Sequence, residues 1–140
     1  MTESSKRYAG GCLCGQLRYE ARGEPAYAGY CFCADCRKAS GSGFIPFIGV
    51  AAAEVSFTGE TRQFSSRSFR GGESVRNFCP ACGGLVFGGI VGVDAQHTLY
   101  AGSLDDASVF HPQMAIFNRD RPDWVPLPEG LTVFETMPPG

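Results

Sequence analysis

Seven cysteines fall into three tight groups along this 140-residue chain: Cys12-Leu-Cys14, Cys31-Phe-Cys-Ala-Asp-Cys36 and Cys79-Pro-Ala-Cys82. Within each group the thiols can converge on one point, and the chemistry that offers is metal ligation by thiolates. Cys79-Pro80-Ala81-Cys82-Gly83 has the form of a zinc knuckle, a tight turn that presents two sulfurs while the small glycine lets backbone N–H groups approach them. A knuckle gives two ligands and a closed structural zinc site takes four, so Cys12 and Cys14, also followed by a glycine at Gly15, are the matching pair. Cys31, Cys33 and Cys36 remain, with no leftover cysteine to complete them. Three protein ligands around an open position is the pattern of a catalytic zinc. The odd count therefore reads as four plus three, with two Zn2+ per chain.

Other readings compete. A thioredoxin-like dithiol at Cys79 and Cys82 wants a helix directly after the first cysteine, and Gly83-Gly84 interrupts one. His97, His111 or Asp35 could close the second group into another structural site. Arg37 and Lys38 directly follow Cys36 and are candidates to balance thiolate charge near a bound substrate; simple solvated side chains are the other reading. The stretch from Arg62 through Arg67 and Arg70 to Arg76 interleaves arginine with aromatics. It is either a carboxylate-holding surface or the polar face of a strand, and the strand is the simpler account. Phe44 and Phe47 read as core or pocket wall.

The elements that must position these residues are strands. Leu17-Arg-Tyr-Glu20 alternates apolar and polar with period two. Further β-like runs are expected at 26–32, 43–50, 54–58, 63–65, 74–78, 85–87 and 97–101, separated by glycine-bearing turns. Short helices are expected only around Ala34 to Ala39 and after Leu104-Asp-Asp106, where an aspartate can cap a brief turn. The pattern predicts a mainly β protein, a small antiparallel sheet sandwich or tent built around the cysteine knuckles. Residues 1–140 read as a single zinc-binding domain whose last part, 121–140, holds five prolines and forms an extended tail.

Composition narrows the function classes. Nineteen Gly and nine Pro exclude a helical bundle, because each costs about 1 and about 3 kcal/mol in a helix interior. A formal charge of −2 argues against nucleic acid as partner. The longest apolar stretches, 43–53 and 84–93, fall short of the roughly 20 residues a spanning helix takes, so no membrane partner is expected. The opening Met1 to Arg7 shows no apolar leader, and a cysteine-rich chain without one points to the cytoplasm.

The motifs Gly10-Gly-Cys-Leu-Cys-Gly15, Cys31-Phe-Cys-Ala-Asp-Cys-Arg-Lys38 with Gly41-Ser-Gly-Phe44, Arg76-Asn-Phe-Cys-Pro-Ala-Cys-Gly83 and Gly102-Ser-Leu-Asp-Asp106 resemble the glutathione-dependent formaldehyde-activating enzyme and centromere protein V family. The likeness runs from about residue 10 to about residue 134. It implies a β-tent fold, a structural zinc on Cys12, Cys14, Cys79 and Cys82, and a catalytic zinc on Cys31, Cys33 and Cys36. It also implies an activity: a carbon–sulfur lyase joining a small thiol such as glutathione to formaldehyde or a related aldehyde. Two residues depart from the family pattern, Leu13 and Phe32, which stand where the family usually has histidines. A non-catalytic zinc-binding interaction module is the rival class, and the third thiol group is what such a module does not require.

Overall fold

The computed structural model describes residues 6–139, so most of the opening Met1 to Arg7 segment lies outside the described residues. The chain is mainly β, as its alternation predicts. A small sheet takes the order β1-β2-β5, from β1 (Arg7–Gly11), β2 (Arg18–Arg22) and β5 (Val55–Thr58). A larger sheet is built from β3 (Tyr27–Cys31), β4 (Ile45–Ala51), β6 (Arg62–Arg67), β7 (Glu73–Phe78), β8 (Leu85–Gly88), β9 (Gln96–Tyr100), β10 (Met114–Ile116) and β11 (Thr132–Val133). Its order is β11-β10-β3-β4-β9-β8-β7-β6. Pairing is antiparallel except at one edge, where β10 runs parallel to β3 and β11 parallel to β10.

Period-two alternation fixes which side chains meet. On β2, Tyr19 and Ala21 face inward while Glu20 and Arg22 face out. The main core then draws Tyr8, Leu17 and Tyr19 from the small-sheet side and Ile48, Val86, Phe87 and Leu99 from the large sheet. Phe57 of β5 stacks on Phe87 of β8 with ring centroids 3.9 Å apart, joining the two sheets directly. The single α-helix among the described residues, α1 (Ala34–Ser40), is one residue longer than the sequence suggests. The turn after Leu104 is a short 3-10 segment, Ala107–Val109, capped by Asp106 through the Ser108 N–H.

Residues 121–139 add β11 and then run back along Phe117 and Asn118, whose N–H groups donate to the Thr136 and Phe134 carbonyls. Val125 is buried, and Phe134 and Met137 pack on the cluster that contains Cys31 and Cys36. No helix among the described residues is long and apolar enough to cross a membrane.

Candidate metal centres

Two knuckles meet at the first thiol group. In each, a left-handed glycine closes the turn: Gly15 (φ 86°) donates to the Cys12 carbonyl at 3.2 Å, and Gly83 (φ 77°) to the Cys79 carbonyl at 2.8 Å. Gly84 lets the knuckles approach, since a Cβ there would lie 3.2 Å from Cys12 Cβ. The four sulfurs of Cys12, Cys14, Cys79 and Cys82 consequently lie within 4.8 Å of one another, with Cys12 to Cys14 at 3.7 Å and Cys14 to Cys79 at 3.8 Å.

Neutral donors surround this group. Cys12 Sγ accepts the Leu17 N–H at 3.3 Å, and Cys79 Sγ accepts the N–H groups of Ala81 and Cys82 at 3.3 and 3.4 Å. Gln16 adds its side-chain amide to Cys79 Sγ at 3.3 Å and uses its carbonyl to accept the Glu60 N–H at 2.9 Å. Burial disfavours the Cys79 thiolate, but these donors outweigh it and hold the thiol down at about 6.

The second group is assembled by one β-to-α turn. Cys31 ends β3, Cys33 is the N-cap of α1 and Cys36 lies in its first turn, where the Cys36 N–H donates to Cys33 Sγ at 3.2 Å. Gly41 (φ 73°) stops the helix, with its N–H on the Arg37 carbonyl at 2.9 Å. The three sulfurs lie within 4.8 Å of one another, and Cys31 and Cys36 are buried. Cys33 is held well below the ordinary thiol range because the Cys31 and Cys36 thiols donate to it. Those two are pushed up in turn: Cys31 by its hydrogen bonds to Cys33 and Cys36, Cys36 by Cys33 and burial, which outweigh the lowering effect of Cys31. Metal ligation by these thiols would displace their protons.

No fourth ligand joins this group among the described residues. His97 is buried between Phe57 and Phe87 with Nδ1 at 3.2 Å from the Gly88 carbonyl, and His111 and Asp35 are exposed. Lys38 is exposed and Arg37 half-buried, and neither forms an ion pair among the described residues. The cation beside the thiols is instead Arg76 of β7, buried, with Nη2 donating to Cys36 Sγ at 3.7 Å. Along the arginine–aromatic stretch, Arg62, Arg67 and Arg70 are exposed and only Arg76 turns inward. Tyr100 of β9 also belongs to this cluster, and burial holds its hydroxyl protonated, with Arg76 opposing and the neighbouring thiols reinforcing.

Neither departure from the family pattern makes a polar contact at the thiols. Leu13 is 92% exposed at the tip of its knuckle, and Phe32 is buried in an aromatic group with Tyr30 and Phe44. Phe47 packs directly on the second thiol cluster. A cavity of about 560 Å3 lies elsewhere, lined by Arg7, Glu20, Arg22, Glu54 and Asp105, and no cysteine borders it.

Both groups have the donor chemistry to hold a metal ion. Among solved structures, the chain is similar to a Rhodobacter sphaeroides protein of known crystal structure, with a TM-score of 0.54 and 16% identity over 90% of this chain and 98% of that one. That likeness carries the fold alone. No curated protein matches the sequence. The family model for glutathione-dependent formaldehyde-activating enzyme matches residues 7–120, and with that span, taken with the two gathered thiol groups, the chain belongs to the glutathione-dependent formaldehyde-activating enzyme family.

Proposed function

We propose that the chain is a two-zinc enzyme of carbon–sulfur lyase type that joins a small thiol such as glutathione to formaldehyde or a related aldehyde at Cys31, Cys33 and Cys36. The observation that carries this is a three-sulfur cluster, with Cys31 and Cys36 buried and Cys33 half-buried, that has no fourth protein donor among the described residues. A closed four-sulfur cluster stands apart from it, with a structural role. The donors fit zinc: a tetrahedral tetrathiolate with Zn–S near 2.3 Å sets its sulfurs about 3.8 Å apart, and the first cluster shows contacts of 3.7 and 3.8 Å.

Zinc at the second cluster supplies Lewis acidity and stabilises a thiolate at neutral pH. The chain's own residues do the rest. Cys31, Cys33 and Cys36 fix the place where the substrate thiol meets the aldehyde, and that orientation is most of what hemithioacetal formation requires. Phe47, Ile116 and Phe117 surround the cluster with apolar surface that limits water there. Tyr100 packs beside the cluster, and burial holds its hydroxyl protonated. The step balances without a redox partner: a sulfur–carbon bond forms, the carbonyl π bond becomes a C–O–H group, and the thiol proton ends on that oxygen.

The test combines zinc stoichiometry with NMR exchange between formaldehyde and glutathione. Wild type is expected to carry two zinc ions and accelerate exchange. Cys33→Ser is expected to keep its fold and the first zinc while exchange falls at least about 100-fold, more than removal of an outer-sphere partner costs. Exchange in Cys33→Ser equal to wild type, or no acceleration by wild type, refutes the proposal.

A further inference from the structure

We propose that Arg76 is the built-in countercharge of the Cys31, Cys33 and Cys36 cluster, and that it favours an anionic sulfur over a neutral donor as the fourth ligand there. This rests on reading the cluster as the metal site that meets a substrate thiol. A guanidinium keeps its charge throughout the accessible pH range and carries five N–H donors, so burying one without an anion is costly. Arg76 is 8% exposed and, among the described residues, pairs with no carboxylate. Its Nη2 donates to Cys36 Sγ at 3.7 Å and its Nη1 to Ser66 Oγ at 3.4 Å, while Nε is buried without a partner. The anion this side chain is built to meet is therefore the sulfur cluster. Strand pairing holds it there, since Arg76 lies between Phe64 of β6 and Gly88 of β8.

The first cluster provides the contrast. Its sulfurs accept only neutral amide donors among the hydrogen bonds above, and Cys14 is exposed, so water screens the charge of a closed tetrathiolate. The second cluster is packed among Ile45, Phe47, Ile116 and Phe117. Three thiolates on a divalent cation leave a net negative charge, and a substrate thiolate adds another in surroundings that screen poorly. A fixed guanidinium attracts such an anionic fourth donor and does nothing comparable for a neutral one. Preference for thiolate over imidazole is thus a direct readout of Arg76.

Co2+ can stand in for zinc, because its absorption bands report sulfur ligation. Wild type, Arg76→Gln and Arg76→Lys are titrated with Co2+ against a competing chelator, with the first cluster as internal measure of folding. Wild type is expected to bind two Co2+. Arg76→Gln is expected to bind the first unchanged and the second about 10- to 100-fold more weakly, the range for loss of an outer-sphere partner, and Arg76→Lys to regain most of that. Glutathione and imidazole are then competed for the fourth position on the loaded protein. Arg76→Gln is expected to lose preference for glutathione by the same order, and Arg76→Lys to restore it. Where the buried amide of Arg76→Gln unfolds the chain, Arg76→Met gives the same test with the same expected losses. Wild-type second-site affinity and wild-type ligand preference in the charge-free variant overturn this proposal and leave the proposed activity standing. A wild type that binds a single Co2+ overturns both.

Discussion

Asn77 shows how much of the framework that gathers the cysteines rests on single side chains. It is fully buried on β7, where its Nδ2 donates to the carbonyls of Phe87 and Gly89 at 3.1 and 2.7 Å. Its Oδ1 accepts from Thr61 Oγ1 and Gln63 Nε2 at 3.3 and 3.1 Å. These bonds hold the register shift between Asn77 and Phe78 that delivers the chain into the Cys79 knuckle. Asn77→Ala strips partners from buried groups, so a loss of about 2 to 3 kcal/mol is expected in denaturant unfolding. A loss near zero shows that water takes over the bonds. The grouping of the cysteines could be read from the sequence because it is local: two thiols on one knuckle are neighbours in the chain. Arg76, Gln16 and Asn77 could not, because burial and a distant partner give them their roles. Arg76 in particular sits within an arginine-rich run whose other members are exposed.

Among the elements, alternation located eight strands to within a residue or two, and it failed where the backbone rather than side-chain pattern decides. β1 carries Gly10 and Gly11, poor strand formers that conceal it in the sequence. The structure gives the reason for Gly10: a Cβ there would lie 2.3 Å from the Ser103 carbonyl oxygen and 2.4 Å from the Tyr19 hydroxyl. β10 and β11 are three and two residues long, too short for any period, and they exist because the returning chain pairs in parallel beside β3. Gly10→Ala must displace both the backbone at Ser103 and the buried ring of Tyr19, and overpacking of this kind costs about 1 to 3 kcal/mol. Because β1 leads directly into Cys12, metal uptake by the first cluster is expected to weaken in the same variant. Unchanged unfolding midpoint and unchanged metal affinity together would show that β1 can shift freely.

For the molecule as a whole, the interior holds phenols from both sheets, and their burial predicts a loss of stability at alkaline pH. Tyr8 and Tyr19 come from the small sheet and Tyr100 from the large one, and burial raises all three above the ordinary tyrosine value. Tyr19 is pushed up to about 12, with Ser103 at 2.8 Å from its hydroxyl only partly opposing burial and Asp105 adding to it. The sign follows from proton binding: above pH 10 the unfolded chain releases protons that the folded chain still holds, so stability falls as pH rises towards the folded values. The contribution of Tyr19 is present in full below pH 10 and lost on approaching pH 12. It is on the order of 2 to 3 kcal/mol, because each tenfold change in proton affinity corresponds to about 1.4 kcal/mol. Tyr19→Phe removes that dependence and also the Ser103 bond, which contributes about 1 kcal/mol. The variant is therefore expected to be less stable than wild type at neutral pH and to lose less of its stability near pH 12. Denaturant midpoints at the two pH values, with tyrosinate absorbance followed in parallel, measure both. Parallel midpoint curves for wild type and Tyr19→Phe place the alkaline transition on other groups between the sheets, with Tyr8 and Tyr100 the next to replace.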